Sequence, residues 1–142
     1  MQGEDLPMTD LVNPTEAQVA SLVGSEDESP IVMVNLLRFK EQADGVDEGM
    51  TGAEAYATYG ANIQKYLEGV GGKILLAVNC EESIIGPEAA EWDMVILVQY
   101  PSRQAFVKMI TDPGYLKEHE HREAGLAETR LILSKLGFAG EA

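Results

Sequence analysis

Residues 92–125, WDMVILVQYPSRQAFVKMITDPGYLKEHEHREAG, constrain the fold of this chain more than any other stretch. Met94 to Tyr100 is apolar and rich in β-branched residues over the length of one strand. Ser102 can then cap a helix that carries Ala105, Phe106, Met109 and Ile110. Asp112-Pro113 opens a further helix with proline at its first position, and Gly125 ends it. A strand, two short helices and most of the unusual side chains are thus packed together, and the remaining sequence reads as their scaffold.

That scaffold begins with a polar lead, after which Asn13-Pro14-Thr15-Glu16 predicts a helix start with Asn13 as cap and Glu16 completing a box. Val19, Leu22 and Val23 give this helix one apolar face, and Gly24 ends it. Ile31 to Phe39, IVMVNLLRF, is the first predicted strand. The acidic, glycine-containing loop at residues 40–50 is read as a lid or a mobile insertion. Its Asp44-Gly45-Val46-Asp47-Glu48 spacing does not fit a calcium loop. Thr51-Gly52-Ala53-Glu54 is a capping box, and the helix it opens places Tyr56, Tyr59, Ile63, Tyr66, Leu67 and Val70 on one core-facing stripe. Gly69, Gly71 and Gly72 stop that helix, residues 73–85 form a long strand or a bent pair, and Gly86-Pro87 marks a turn. The last strand falls within residues 126–136, and residues 137–142 are a tail.

The order is strand, helix, strand, strand, helix pair, strand after an N-terminal helical extension (residues 1–29), which is the split β-α-β order of an α+β, ferredoxin-like domain. A faint internal echo agrees with it. Met33-Val34-Asn35-Leu36-Leu37-Arg38-Phe39 can be laid over Met94-Val95-Ile96-Leu97-Val98-Gln99-Tyr100. At 142 residues the chain fits one domain.

With 24 Asp plus Glu against 10 Lys plus Arg, the formal net charge of −14 repels nucleic-acid phosphates and anionic lipid alike. No apolar run is long enough to span a bilayer, and the acidic start lacks the features of a secretory signal, so the expected location is the cytoplasm. Cys80 is the sole cysteine and is expected to be a core thiol.

The blocks MVNLLRFK, TGAEAYATYG, WDMVILVQYPSRQAF and DPGYLKEHEHREAGL occur in the order of these elements. On them the chain resembles, over residues 31–132, the domain-of-unknown-function family numbered 1330, within the dimeric α/β-barrel superfamily. The resemblance implies a homodimer in which two ferredoxin-like sheets, each covered by helices on one face, pair into a barrel. It implies no single reaction. Relatives elsewhere in that superfamily include cofactor-free monooxygenases, isomerases and haem proteins.

Strand alternation places Met94, Ile96, Val98 and Tyr100 on one apolar face, assigned to the helices, and Asp93, Val95, Leu97 and Gln99 on a mixed face. Val32, Val34, Leu36 and Arg38 join the mixed face, whose apolar members would form an exposed patch in a monomer. Asn35 then lies on the helix side, where its amide either bonds backbone or a tyrosine hydroxyl, or donates to a ligand oxygen.

On the last helix Tyr115, His119 and Arg122 share one face, which overlooks either solvent or a wet cavity. In a cavity, Arg122 would anchor a carboxylate or enolate, His119 would act as acid or base, and Tyr115 would donate a hydrogen bond. Tyr59 could add a second hydroxyl. Trp92 is a stacking platform for a planar ligand or a plug at a strand end. KEHEHRE also reads as a solvated face of weak i, i+4 pairs, and His119 and His121, two apart on a helix, point in different directions, which disfavours a metal. No cofactor fingerprint is present: the chain has no P-loop, dinucleotide glycine pattern or nucleophile elbow. Three functions fit these features: a cofactor-independent catalyst of proton transfer, isomerisation or oxygenation on a small planar anionic metabolite, a non-catalytic carrier with the same pocket, and a structural dimer.

Overall fold

The computed structural model describes residues 10–140. Its elements are α1 (Glu16–Gly24), β1 (Ile31–Phe39), α2 (Gly52–Asn62), α3 (Gln64–Gly69), β2 (Lys73–Asn79), β3 (Met94–Tyr100), α4 (Arg103–Ile110), α5 (Pro113–Gly125) and β4 (Leu126–Ser134). The outermost residues of the expected extension and tail, 1–9 and 141–142, lie outside the described part.

The four strands form one antiparallel sheet in the order β2-β3-β1-β4. The two apolar runs legible in the sequence are its central strands, and each feeds a helical crossover that returns the chain to an edge. This is the ferredoxin-like order. Asn35 lies directly opposite Ile96 across the antiparallel pair, so the two echoed segments are neighbours in space.

The core lies between sheet and helices. Ile31, Met33, Val98 and Tyr100 from the sheet meet Tyr59 from α2, Ile63 between α2 and α3, Leu67 from α3, Phe106 and Met109 from α4, and Tyr115 from α5. Tyr100 and Phe106 pack edge to face at 5.1 Å between ring centroids. Behind the sheet, Val34, Leu36, Val95 and Leu97 are half-buried while Leu76, Val78 and Ile132 are exposed. Val32 departs from the expected patch, since the chain itself already buries it.

The caps explain where the helices begin. Thr51 accepts from Glu54 N while the Glu54 side chain accepts from Thr51 N, as the box predicts. Ser102 and Asp112 cap α4 and α5, with Pro113 in the first turn. At α1 the expectation shifts by two residues: Thr15 is the cap and Gln18 its partner, because Asn13 turns its amide to Asp10 and Glu123 instead. Of the expected α1 face, Leu22 packs against the core whereas Val19 and Val23 stay exposed.

Three further expectations are corrected. The long helix is divided at Ile63, whose ψ of −2° interrupts the regular turn. The strand expected over residues 73–85 ends at Asn79, and the chain beyond it is irregular, with one Glu82–Ala89 bridge and a turn at Gly86 (φ +110°). Cys80, directly after β2, donates its backbone N–H to Asp93 O and is half-buried outside the core.

The loop at residues 40–50 is fastened to α5 along its length. Lys40 N donates to Gly125 O at 2.8 Å, Asp44 N donates to Ala124 O at 3.2 Å, and Gly52 N donates to Lys40 O at 3.1 Å. A Cβ at Gly52 would run into the Lys40 carbonyl and come within 2.7 Å of Gly125 O, so three segments meet there through backbone alone. Within the loop, Asp47 is buried and lies 2.7 Å from His121 Nδ1.

Candidate functional site

A cavity of about 940 Å³ opens between the helices and the helix-facing side of the sheet. Its apolar wall includes Met33, Phe106, Met109, Ile110 and Leu133, and its polar wall is the inner face of α5. That face follows from helical spacing. Tyr115, His119 and Arg122 all line the space, and Tyr115 and Arg122 are buried.

Tyr59 reaches the same wall from α2, its hydroxyl 2.7 Å from that of Tyr115. The two rings stand nearly perpendicular with centroids 6.1 Å apart, and the His119 ring lies 6.1 Å from that of Tyr115. Burial pushes both tyrosines above their ordinary range, so both carry their protons at neutral pH. Burial, and next the charge of Arg122, lowers the His119 pKa from 6.5 and keeps the imidazole neutral. Glu123 Oε1, 3.8 Å from His119 Nδ1, and Asp10 oppose that shift.

Arg122 donates from Nη1 to the Val12 carbonyl at 2.6 Å. No carboxylate among the described residues makes a salt bridge with it. A buried guanidinium in that position projects positive charge into the cavity. Asn35 also lines the space, and its Nδ2 donates to Ile96 O at 3.2 Å and to Met33 O at 3.3 Å, leaving the side-chain oxygen without a partner among the described residues. The amide nitrogen is thereby engaged by backbone.

Of the six residues singled out in the sequence, five meet at the cavity: Asn35, Tyr59, Tyr115, His119 and Arg122. Trp92 does not join them. Arg38 and Arg130 sit over its ring at 5.9 and 5.2 Å, and both arginines pair with Glu128, so Trp92 belongs to a cluster on the other side of the sheet. Strand register explains this placement, because Arg130 lies opposite Leu36 on the face away from the helices.

Sequence reasoning missed the wall formed by residues 10–25. Asp10, Val12, Asn13, Thr15, Gln18 and Leu22 line one side of the cavity, and Leu11 O accepts from Thr129 N at the edge of β4. Only the apolar Leu11-Val12 within a polar lead hinted at it. The Asp47–His121 pair was also missed, since nothing in the sequence distinguishes a buried Asp in an acidic loop. His119 and His121 do diverge, one toward the cavity and one toward Asp47, and among the described residues no group of three metal-ligating side chains converges.

Fold and site together define the class: a ferredoxin-like α+β domain with a polar-walled cavity under its helices. A family model described as a domain of unknown function, DUF1330, matches residues 46–136, and the chain belongs to that family. The model begins after the MVNLLRFK block. A solved structure of a protein of unknown function from Rhodopseudomonas palustris is 40% identical, with a TM-score of 0.84 over 92% of this chain and 100% of that one. The methylated form of that protein matches at 40% identity and TM-score 0.84, over 94% and 100%. An Arabidopsis thaliana structure at 15% identity and TM-score 0.52, covering 78% of this chain and 99% of that one, shares the fold alone. No curated protein matches the chain. Among the described residues, no helix is long and apolar enough to cross a membrane.

Proposed function

We propose that the chain binds a small, planar, partly anionic metabolite in this cavity and moves a proton on it without a cofactor. One observation carries the reading: a neutral imidazole, a buried guanidinium and two linked hydroxyls share one wall of a space large enough for such a molecule. Arg122 supplies the charge that holds the anion, His119 accepts or returns the proton, and Tyr115 with Tyr59 donates to a ligand oxygen. Asn35 contributes shape and a side-chain oxygen that no described residue engages, since its amide nitrogen already serves Met33 and Ile96.

The apolar residues behind the sheet support the further proposal that the working unit is a homodimer joined through that face. Light scattering at micromolar concentration should return twice the chain mass, and a monomer would count against it.

The functional test is a metabolite screen by thermal shift, followed by a turnover assay on each hit. His119→Ala should lose turnover by at least about 100-fold while ligand still binds. Arg122→Ala should lose binding. Binding without product for every hit would replace the enzyme by a carrier, a reading favoured by the engagement of the Asn35 amide with backbone.

A further inference from the structure

The paired hydroxyls of Tyr59 and Tyr115 say more about the ligand than its charge. They come from different helices, lie 2.7 Å apart, and both residues are buried and line the cavity. Each hydroxyl has one proton, and one of the two protons is used between them. The pair therefore offers a single outward donor, on an oxygen already polarised by its neighbour. A single fixed donor suits a single oxygen. A carboxylate would favour a planar fork, and Arg122 has one arm of its fork on the Val12 carbonyl.

We propose that the ligand is a weak acid whose conjugate base carries its charge on oxygen, a phenol or an enolisable ketone, and that the oxyanion formed in the site is received by the Tyr59–Tyr115 pair. This rests on the reading of the cavity as a small-molecule proton-transfer site. The flat body of such a ligand fits against Met33, Phe106, Met109 and Ile110. In the step itself, the ligand's O–H bond, or the C–H bond next to its carbonyl, breaks. The electron pair stays on the ligand and is carried by its oxygen, an N–H bond forms on the His119 imidazole, and nothing is oxidised or reduced. Hydrogen bonds to an ionised oxygen are stronger than to a neutral one, so the pair favours the product of the transfer. The groups around His119 divide between the two charge states. Arg122 favours the neutral imidazole, whereas Glu123 on the same helix and Asp10 on the N-terminal segment favour the cation.

The test uses the full chain and three probes: 4-nitrophenol, whose ionised form absorbs in the visible, 4-nitroanisole, which cannot ionise, and benzoate. Bound 4-nitrophenol should ionise at lower pH than the free compound, with its ionisation constant raised about tenfold or more. Tyr115→Phe and Tyr59→Phe should each weaken nitrophenolate binding about 10-fold to 100-fold and nitroanisole binding by much less, with the far-ultraviolet circular dichroism unchanged. Unshifted ionisation of bound 4-nitrophenol, or benzoate binding tighter than nitrophenolate, would overturn the proposal and leave the cavity reading standing. Failure of all three probes to bind would overturn both.

Discussion

Two segments flank α5, and they are held in opposite ways. The loop at residues 40–50 donates backbone hydrogen bonds to Ala124 and Gly125, accepts one from Gly52 and buries Asp47 against His121. The segment at residues 10–25 has no buried residue in its helix and is tied down by four polar contacts: Arg122 to Val12 O, Asn13 to Glu123, Thr129 N to Leu11 O, and Gln104 to Ser25 O. Composition pointed the other way, since the acidic loop has the glycines and charge of a lid. Backbone hydrogen bonding and burial, and not charge content, thus decide how firmly each segment is held. It is the sparsely held segment that walls the cavity.

Matched changes should affect the two segments unequally. Gly52→Ala, at the backbone junction that ends the loop, should lower global stability in urea unfolding by about 3 kcal/mol or abolish folding. Gly24→Ala, with open space around it at the end of α1, should stay within about 0.5 kcal/mol. Equal losses would show that α1 belongs to the cooperative core. A smaller effect is expected from Asp47→Ala, which strips His121 of its 2.7 Å partner and should cost about 1–3 kcal/mol. Amide exchange over residues 40–50 should rise in that variant while exchange over residues 10–25 does not.

The smallest effect is set by pH and arises on the cavity side of α5. Because the folded state lowers the His119 pKa below 6.5, the unfolded chain binds the proton more readily. The stability associated with neutral His119 is therefore full above pH 6.5 and declines as pH falls from there through the folded value. His119→Gln should flatten that part of a stability-against-pH curve. If the slope survives the substitution, another group is responsible.

Much of the fold was legible because strand and cap signals are local. Ile31–Phe39 and Met94–Tyr100 stand out by β-branched content, and Thr51, Ser102 and Asp112 by the chemistry of their side chains. The α5 stripe was legible for the same reason, since helical spacing alone puts Tyr115, His119 and Arg122 on one face. Whether it met water depended on Tyr59 and on residues 10–25, which are distant in sequence. Trp92 lies apart from the cavity because its partners, Arg38 and Arg130, come from β1 and β4. The α1 cap moved because Asn13 found Glu123, a contact across 110 positions.

The irregularity in β2 has a bearing on how this edge tolerates change in length. Ile74 lies opposite Val98 and Leu76 opposite Leu97, so Leu75 is one residue more than the partner strand requires. Removing it would restore plain alternation and still leave Leu76 and Val78 behind the sheet, with Ala77 toward the helices. Removing a residue from the regular run of β1 would instead turn one half of a central strand inside out. The outer edge can therefore absorb a one-codon deletion, whereas the strand that carries Asn35 cannot.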